Sequence, residues 1–397
     1  MYRFGFIAGL SLALTSCVTD GKDGSMGTPG AAGAEGDDGA AGATGPTGPT
    51  GPQLALPALY TTSNASAGNQ ISAYLRASNG NLSRKGSYAT TGAGLGAGLG
   101  SQGSLVFDGK SQRFFAVNAG DSSISMLAID ADGELSALST VASGGKRPVS
   151  VAVHGSTVYV ANQGDLATQV GANIAGFQVD GDDLVPIAGS AQPLSATTDV
   201  HPTDIAFSPG GGFLVVAERF AGKLDTFKVI NGVAQPGSFQ SSAGLQPFAF
   251  DWSPEGFLVV AEVGTGAAGA SSVSSYAISA TGALTPITSA LPTLQSAACW
   301  LVMAGGYAYI ANAASANITG VTVSGTGALA LHDASGITAI TGAGATDLAV
   351  SPDHGYLYSL AGGPHMINIF AIHADGSLDA LPGLPGAPAT AAGLVVR

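Results

Sequence analysis

Charged and polar side chains stand at equivalent places along this chain, at the starts and ends of short apolar runs. The carboxylates of Glu218 and Glu262 can act as bases that activate water. His201 can act as a base or a proton relay, and the guanidinium of Arg219 can stabilise a developing negative charge. Five further residues at comparable places have side chains suited to binding a ligand: Arg147, Asn162, Asp204, Asn312 and Asp347. These residue types predict hydrolysis or binding, provided that the fold brings them together.

The segments that carry these residues are copies of one repeat. In the clearest copy, residues 201–229, two apolar runs flank a Ser208-Pro209-Gly210 turn, the second run ends at Glu218 and a third run closes the unit. Residues 248–278 repeat this order and place Glu262 at the same point. Runs this short, bounded by Gly, Pro, Asn or Asp, predict β-strands joined by tight turns.

The number of copies predicts the architecture. The residues that follow the second apolar run recur about every 50 residues, a spacing found in the longer propeller repeats: Thr62, Asn118, Asn162, Glu218, Glu262, Asn312 and Leu360. Five copies have a turn pair after the third run, as a hairpin into a fourth strand requires: Asp132-Gly133, Gly181-Asp182, Thr281-Gly282, Thr326-Gly327 and Asp375-Gly376. We therefore predict an all-β, seven-bladed β-propeller.

The two ends of the repeat region should share one blade. The first copy begins at residues 58–61, which match a second strand, so its first strand is missing. Residues 391–396, at the other end of the chain, match the first strand of the other copies. The sequence thus predicts a 3+1 closure, with the carboxyl-terminal strand innermost in a blade built from residues 58 to about 95.

Residues 57–397 resemble the seven-bladed lactonase-like propellers, the 6-phosphogluconolactonase and 3-carboxymuconate cyclase type. The resemblance rests on the repeat, the 3+1 closure and the phrase Ser-Pro-x-x-Gly-x-Leu-x-Val-Ala at residues 208–217. It implies lactone hydrolysis at the channel rim, with Glu218 or Glu262 as base, His201 as base or relay, and Arg219 or Arg147 as electrophilic partner. Phosphogluconolactonases of this type carry Arg-His at the start of one first strand, whereas here Arg147 and His201 are split between two copies.

The amino terminus indicates export. Residues 1–16 carry one cation, Arg3, and then an apolar stretch too short to span a membrane. Leu14-Thr15-Ser16-Cys17 resembles a bacterial lipobox, which implies that Cys17 is lipidated and that residues 17–20 form the mature, membrane-attached terminus. Val18, where an aspartate would signal inner-membrane retention, favours the outer membrane. We expect an outer-membrane lipoprotein of the bacterial cell envelope, exposed at the surface or in the periplasm.

A spacer follows, because every third residue from Gly21 to Gln53 is glycine. The segment resembles the collagen-like Gly-X-Y repeat, in which only glycine fits at the axis of three chains, and the resemblance implies a homotrimer. A flexible, disordered tether remains the alternative. Either form would hold the propeller away from the membrane.

The amino-acid composition disfavours several classes of partner and ligand. The chain has 13 basic against 26 acidic residues, a net charge of −13, and no basic patch, so we expect no nucleic-acid partner. The carbonyl and carboxylate oxygens of the strand-end Asn and Glu residues suit Ca²⁺, but they are spread around a ring, so we expect no resident cofactor. A phosphorylated sugar lactone is a cytosolic anion, which fits poorly with an exported, acidic chain.

Three functions stay open at this point. The first is a surface-displayed lipoprotein whose rim binds a small molecule, a protein or a glycan. The second is a hydrolase of unphosphorylated lactones, and the third is a structural head on a trimeric stalk. Asn and Glu at strand ends also commonly bond backbone amides of neighbouring segments, so each candidate residue has a structural alternative. The glycine-rich residues 92–103 predict a mobile loop between blades.

Overall fold

The computed structural model describes residues 56–196 and 199–397, so the predicted signal sequence, Cys17 and the glycine-repeat spacer lie outside the described residues. Thirty-one strands and one short 3-10 helix, Leu166–Thr168, are present in this part of the chain. In chain order the strands are β1 (Ala58–Thr62), β2 (Gln70–Arg76), β3 (Leu82–Ala89), β4 (Leu105–Asp108), β5 (Arg113–Asn118), β6 (Ser123–Ile129), β7 (Leu135–Ala142), β8 (Pro148–His154), β9 (Thr157–Asn162), β10 (Asn173–Asp180), β11 (Asp183–Pro186), β12 (Gln192–Pro193), β13 (Pro202–Phe207), β14 (Phe213–Glu218), β15 (Lys223–Ile230), β16 (Val233–Ala234), β17 (Ser238–Ser241), β18 (Pro247–Trp252), β19 (Leu258–Glu262), β20 (Ser272–Ile278), β21 (Leu284–Pro292), β22 (Ala298–Ala304), β23 (Tyr307–Asn312), β24 (Asn317–Val323), β25 (Leu329–Leu331), β26 (Ala339–Ile340), β27 (Ala345–Val350), β28 (Tyr356–Ala361), β29 (Met366–Ile372), β30 (Leu378–Pro385) and β31 (Ala392–Val396).

These strands form seven antiparallel sheets, which confirms the predicted all-β, seven-bladed propeller. Blade 1 is β31-β1-β2-β3, blade 2 is β4–β7, blade 3 is β8–β12, blade 4 is β13–β17, blade 5 is β18–β21, blade 6 is β22–β26 and blade 7 is β27–β30. The first strands of neighbouring blades contact one another around a central channel. No helix of the described part is long and apolar enough to cross a membrane.

The ring closes as the sequence predicts. β31 pairs with β1 in antiparallel register, Leu59 opposite Val396, so the last strand of the chain is the innermost strand of blade 1. The Thr62 hydroxyl donates to the Ala392 carbonyl at 2.6 Å, and the Arg397 amide donates to the Ala58 carbonyl at 2.8 Å. The 3+1 closure is therefore confirmed.

Second strands are buried on both faces, because each blade packs against the blades on either side. This explains why they are continuous apolar runs such as Leu214–Ala217 rather than alternating ones. The hairpin turns lock neighbouring blades together: the Tyr309 hydroxyl donates to the Gly376 carbonyl at 2.9 Å, and the Tyr358 hydroxyl donates to the Gly80 carbonyl at 2.9 Å. The second of these bonds joins blade 7 to blade 1, so it also secures the closure.

Deletion of residues 392–397 should destabilise the whole ring. The change removes the β31–β1 ladder and the buried side chain of Leu394, at a cost of about 1 kcal/mol for each hydrogen bond and about 2 kcal/mol for the leucine. We expect the free energy of unfolding to fall by several kcal/mol, measured by urea denaturation with tryptophan fluorescence. Val396→Thr, which keeps the backbone pairing, is the control and should cost far less. A truncated chain with an unchanged midpoint and slope would contradict this account.

Candidate functional site: the rim of the central channel

Each blade begins its innermost strand with a residue in the left-handed backbone region. These residues are Gly393, Gly103, Arg147, His201, Gln246, Ala297 and Gly344, with φ between 52° and 72°. In blades 3 to 7 a β-bulge follows within the first residues of the strand. Glycine adopts positive φ at no steric cost, whereas Arg, His, Gln and Ala do so under strain. Only blades 3, 4 and 5 place long polar side chains there.

Those three side chains join two residues that follow second strands to form a connected set, here called the rim arc: Arg147, Gln163, His201, Arg219 and Gln246. Within a blade, the Gln163 amide donates to the Arg147 carbonyl at 3.0 Å and the Arg219 amide to the His201 carbonyl at 3.1 Å. Between blades, Gln163 Nε2 lies 2.7 Å from His201 Nδ1, and Arg219 Nε donates to Gln246 Oε1 at 3.1 Å. The structure therefore brings Arg147, His201 and Arg219 to one arc of the rim.

His201 is held in place and remains accessible. Its side chain is 20% exposed and stacks on Phe220 with ring centroids 4.5 Å apart. Burial lowers the pKa of His201 below its usual value; Asp199, 3.9 Å from Nδ1, raises it in part, and Arg219 and Arg147 lower it again. The imidazole is consequently neutral at pH 7, the form that can accept a proton.

The Gln163 contact decides which imidazole nitrogen is free. Gln163 Nε2, 2.7 Å from Nδ1, donates to that nitrogen and leaves the imidazole proton on Nε2; a half-turn of the amide brings Oε1 to Nδ1, which moves the proton to Nδ1 and leaves the lone pair on Nε2. Asp199, also near Nδ1, favours a proton on that nitrogen. Nε2 lies near Gly100, where an added Cβ would be 3.9 Å from it. His201 can act as a general base at Nε2 when the Gln163 amide is turned and Nδ1 carries the proton.

Two guanidiniums flank this imidazole without a carboxylate partner in residues 56–196 and 199–397. Arg219 lies over the rings of Phe220 and Phe248, at 5.4 and 5.8 Å from their centroids. Arg147 is exposed. Unpaired guanidiniums beside a neutral base can stabilise negative charge that develops on a substrate oxygen.

Glu262 is placed differently from the rim arc, because it is fully buried. Its carboxylate accepts hydrogen bonds from the hydroxyls of Ser242, Ser272 and Ser274, at 2.9, 2.5 and 2.8 Å, and from the Gly244 amide at 2.8 Å. All four donors belong to the strands and turn that surround it. These donors occupy a carboxylate that has no exposed surface, so the geometry favours a structural role for Glu262.

Glu218 is also fully buried. It accepts hydrogen bonds from the Ser195 amide at 2.7 Å and from the Ser195 hydroxyl. Asp225 lies beside it on the next strand; burial raises the pKa of Asp225, and the neighbouring Glu218 raises it further. The pKa of Asp225, raised to about 10, keeps this carboxyl protonated at neutral pH. Glu218 joins the second strand of blade 4 to the preceding loop through Ser195 and makes no hydrogen bond to the rim arc.

The strand-end asparagines bond structural neighbours: Asn162 bonds the turn that leads into its blade, and Asn312 bonds the next strand of its own blade. Asn162 Nδ2 donates to the Ser143 carbonyl at 3.1 Å, and Asn312 Nδ2 donates to Asn317 Oδ1 and Thr319 Oγ1, both at 2.8 Å. Both residues are fully buried. In blade 7 the equivalent position is Ala361, the last residue of β28, and not Leu360 as the repeat alignment predicts. The ring of polar strand ends consequently stops before blade 7.

Asp204 and Asp347 line the channel itself and are almost fully buried. Burial raises the pKa of Asp204 to about 8, and burial raises that of Asp347 well above its usual range, with Asp204 adding to the effect. Asp204 accepts from the Phe250 amide at 3.1 Å. The described residues contain no group of three or more His, Cys, Asp or Glu side chains that could hold a metal ion.

The sequence does not predict the course of residues 90–104, the connection between blades 1 and 2. It crosses the channel and contacts four other blades. The Ser101 hydroxyl donates to the Val149 carbonyl at 2.8 Å, and the Gln102 amide donates to the Thr203 carbonyl at 2.8 Å. Gln102 Oε1 accepts from the Leu301 amide at 3.0 Å, and Gln102 Nε2 reaches Asp204 Oδ2 at 3.4 Å. The connection thus forms the inner wall of the rim beside His201.

The buried Asp204 should make stability depend on pH. The unfolded carboxyl ionises near pH 4, whereas the folded one stays protonated until about pH 8, so the unfolded state binds fewer protons in this window. The free energy of unfolding should therefore fall as pH rises from about 4 to about 8, by up to about 1.4 kcal/mol per pH unit for this group. Urea denaturation across this range should show a flatter profile for Asp204→Asn than for the wild type.

Asp353→Asn is the matched control. The Ser351 hydroxyl lowers the pKa of Asp353, so its contribution changes only at acidic pH and has the opposite sign. Parallel profiles for the wild type and Asp204→Asn would contradict a protonated Asp204.

Comparison with known proteins supports the architecture. The family described as "Lactonase, 7-bladed beta-propeller" matches residues 186–302, which span blades 4 and 5 and so include His201 and Arg219. The periplasmic gluconolactonase of Pseudomonas aeruginosa superposes with a TM-score of 0.67 at 18% identity, over 86% of this chain and 99% of that one. A candidate 6-phosphogluconolactonase from Bacteroides uniformis gives 0.65 at 20% identity, over 86% and 99%.

At these identities the structural likenesses show the fold alone. No sequence among the curated proteins matches the chain. The seven closed blades establish a seven-bladed β-propeller, and residues 186–302 within it are similar to the lactonase propeller family.

Proposed function

We propose that this protein hydrolyses an unphosphorylated lactone at the rim arc. The observation that carries the proposal is a neutral, accessible imidazole, His201, between the unpaired guanidiniums of Arg147 and Arg219. A base, a cationic partner for the oxyanion and room for water are the requirements of ester hydrolysis. The rim arc supplies the first two from adjacent blades, and the exposed fifth of the His201 side chain gives water access to it.

The proposed reaction needs no group beyond these residues. His201 Nε2 takes a proton from water as the water oxygen attacks the lactone carbonyl. The carbonyl oxygen gains a negative charge, which the guanidinium of Arg219 or Arg147 stabilises. The bond between the acyl carbon and the ring oxygen then breaks, and His201 returns the proton to the leaving oxygen. The product is the open-chain hydroxy acid.

The comparisons give this proposal its substrate class. One structural neighbour is named a gluconolactonase, and the matched family is a lactonase family. The net charge of −13 argues against a phosphorylated substrate, because the protein's own field repels anions. Near the rim only Lys146, Arg147 and Arg219 could offset that field.

Binding without turnover is the second candidate, and one observation favours it. Phe220, at the centre of the rim arc, is 56% exposed, and Leu245 beside Gln246 is 59% exposed. Exposed apolar side chains next to free guanidiniums also suit recognition of a small molecule, a protein or a glycan.

Replacement of His201 by Asn should reduce kcat/KM for a reactive lactone by about 100-fold or more, the typical contribution of a general base. Asn tolerates the left-handed backbone at this position, so the variant should keep its fold. Because the pKa of His201 is lowered, wild-type kcat/KM should already be at its plateau by neutral pH. Lactone hydrolysis by residues 54–397, followed by pH titration of the acid released, measures both quantities.

His365→Asn is the control, because His365 is another histidine with positive φ, at 51°, and lies in blade 7. It should leave kcat/KM unchanged. Glu218→Gln and Glu262→Gln should lower stability more than turnover. Full activity in His201→Asn, or loss of activity in a folded Glu262→Gln alone, would overturn the assignment of the base.

We also propose that the protein is a lipoprotein of the bacterial outer membrane, displayed on its collagen-like spacer. The support is the lipobox-like sequence ending at Cys17, the absence of aspartate at Val18 and the glycine period of residues 21–53. One structural neighbour is named as periplasmic, which agrees with export. A homotrimer through the spacer is part of this proposal.

Cys17→Ser should abolish attachment of labelled palmitate to the expressed protein and release it from the membrane fraction. Cys299→Ser is the control, because Cys299 is the other cysteine of the chain and is buried in blade 6. It should label and fractionate as the wild type does. Wild-type protein that takes up no label would contradict the lipid anchor.

A further inference from the structure

We propose that the lactone processed at the rim arc carries an unbranched acyl chain, and that this chain lies in a pocket of blade 5. The inference rests on the proposed lactone hydrolysis and names its substrate class. It comes from a pocket of about 350 Å³ lined by residues of blade 5 and of the turn that leads into it. This pocket, here called the blade 5 pocket, is lined by Ala243, Gly244, Leu245, Gly264, Gly269, Ala270, Ser271, Ser272, Ala290 and Pro292.

The blade 5 pocket begins at Leu245, the chain neighbour of Gln246 in the rim arc. Arg219 donates to Gln246 at 3.1 Å, and Leu245, the next residue toward the amino terminus, lines the pocket. The Leu245 carbonyl accepts from the Gly264 amide at 2.9 Å, which fixes one edge of the pocket directly against the Gln246 turn. A substrate whose ring lies between His201 and Arg219 can therefore extend a substituent across Gln246 into this pocket.

No polar side chain of the lining is free to form a hydrogen bond with a ligand. Its only side-chain polar groups are the hydroxyls of Ser271 and Ser272, and both are engaged. Ser271 donates to the Val263 carbonyl at 2.8 Å, and Ser272 donates to Glu262 at 2.5 Å. A polar occupant would lose its hydrogen bonds with water and gain none from these side chains. An apolar chain has no hydrogen bonds with water to lose, and its binding removes apolar surface from water.

The surface beside the pocket is apolar as well. Leu245 is 59% exposed, and Leu294, whose carbonyl lies close to Gly269, is 52% exposed. Phe220, which stacks on His201 of the rim arc, is 56% exposed. Large exposed apolar side chains grouped at a cavity mark a binding surface.

Equivalent depressions on other blades suit a different occupant. The one on blade 3, about 370 Å³, begins at Gly145 next to Lys146 and Arg147, and its Asn173 Oδ1 is buried without a donor among the described residues. The one between blades 1 and 2, about 770 Å³, is lined by hydroxyls, amides and Asp121. Of these three, only the blade 5 pocket is lined without a charged or amide side chain, and it lies beside Gln246 of the rim arc.

The test uses the full chain and a series of γ-lactones that carry the same ring and an N-acylamino substituent, from acetyl to dodecanoyl. KM should fall about two- to fourfold for each added CH₂ until the pocket is filled, while kcat stays constant. The upper value corresponds to about 0.8 kcal/mol for each buried CH₂. A KM that does not vary with chain length, in an enzyme that turns over these lactones, would overturn the inference and leave lactone hydrolysis intact.

Leu245→Ser tests the location of the chain. The side chain is exposed, so the variant should fold, and it should raise KM for the longest lactones about tenfold while leaving acetyl-substituted turnover unchanged. Leu166→Ser is the matched control, because Leu166 is 58% exposed on the rim of blade 3. Equal effects of the two variants would overturn the assignment to blade 5. If the wild type hydrolyses no member of the series and no unsubstituted lactone, the proposed function and this inference both fail.

Discussion

The rim of this propeller depends on one backbone constraint, the left-handed residue that begins each innermost strand. The chain reaches the channel from the outer edge of one blade and must reverse sharply to enter the next blade at its axis. Positive φ makes that reversal possible, and the bulge that follows it in blades 3 to 7 re-aims the first side chains of the strand. Glycine or alanine occupies four of the seven positions. At the other three positions, Arg147, His201 and Gln246 adopt the same strained backbone. The side chains of His201 and Gln246 bond to residues of the neighbouring blades.

The buried carboxyls serve a different purpose from the accessible imidazole. Glu262 accepts four hydrogen bonds from its own blade and turn, and burial keeps Asp225 protonated at neutral pH. A buried carboxyl whose oxygens are bonded to neighbouring strands holds those strands in register. His201 has a partner at Nδ1, and its side chain is 20% exposed. A general base must have an atom that is free to take a proton. The buried carboxylates of Glu218 and Glu262 therefore suit catalysis less well than His201 does.

The sequence predicts the parts of this fold that depend on local contacts. The turn pairs, the strand-end positions of six blades and the carboxyl-terminal strand all follow from residue patterns within a single repeat. It does not predict which strand-end side chains face the channel, because Glu262 and His201 differ in partners rather than in position within the repeat. The course of residues 90–104 depends on contacts from Gln102 to Thr203, Phe250 and Leu301, which lie far away in sequence. The available signal was length, since connections between blades are otherwise much shorter.

The long polar side chains of the rim lie in blades 3, 4 and 5, and their charge affects which substrate the rim favours. Two unpaired guanidiniums stand on a protein with a net charge of −13, so a phosphorylated sugar would be repelled at long range and then held tightly before any reaction. Such binding stabilises the ground state as much as the transition state and contributes nothing to kcat. A neutral lactone has no charge until water attacks its carbonyl. The attraction of Arg147 and Arg219 then appears only as the oxyanion forms, and an apolar surface beside Gln246 can supply the binding energy that the neutral ring lacks.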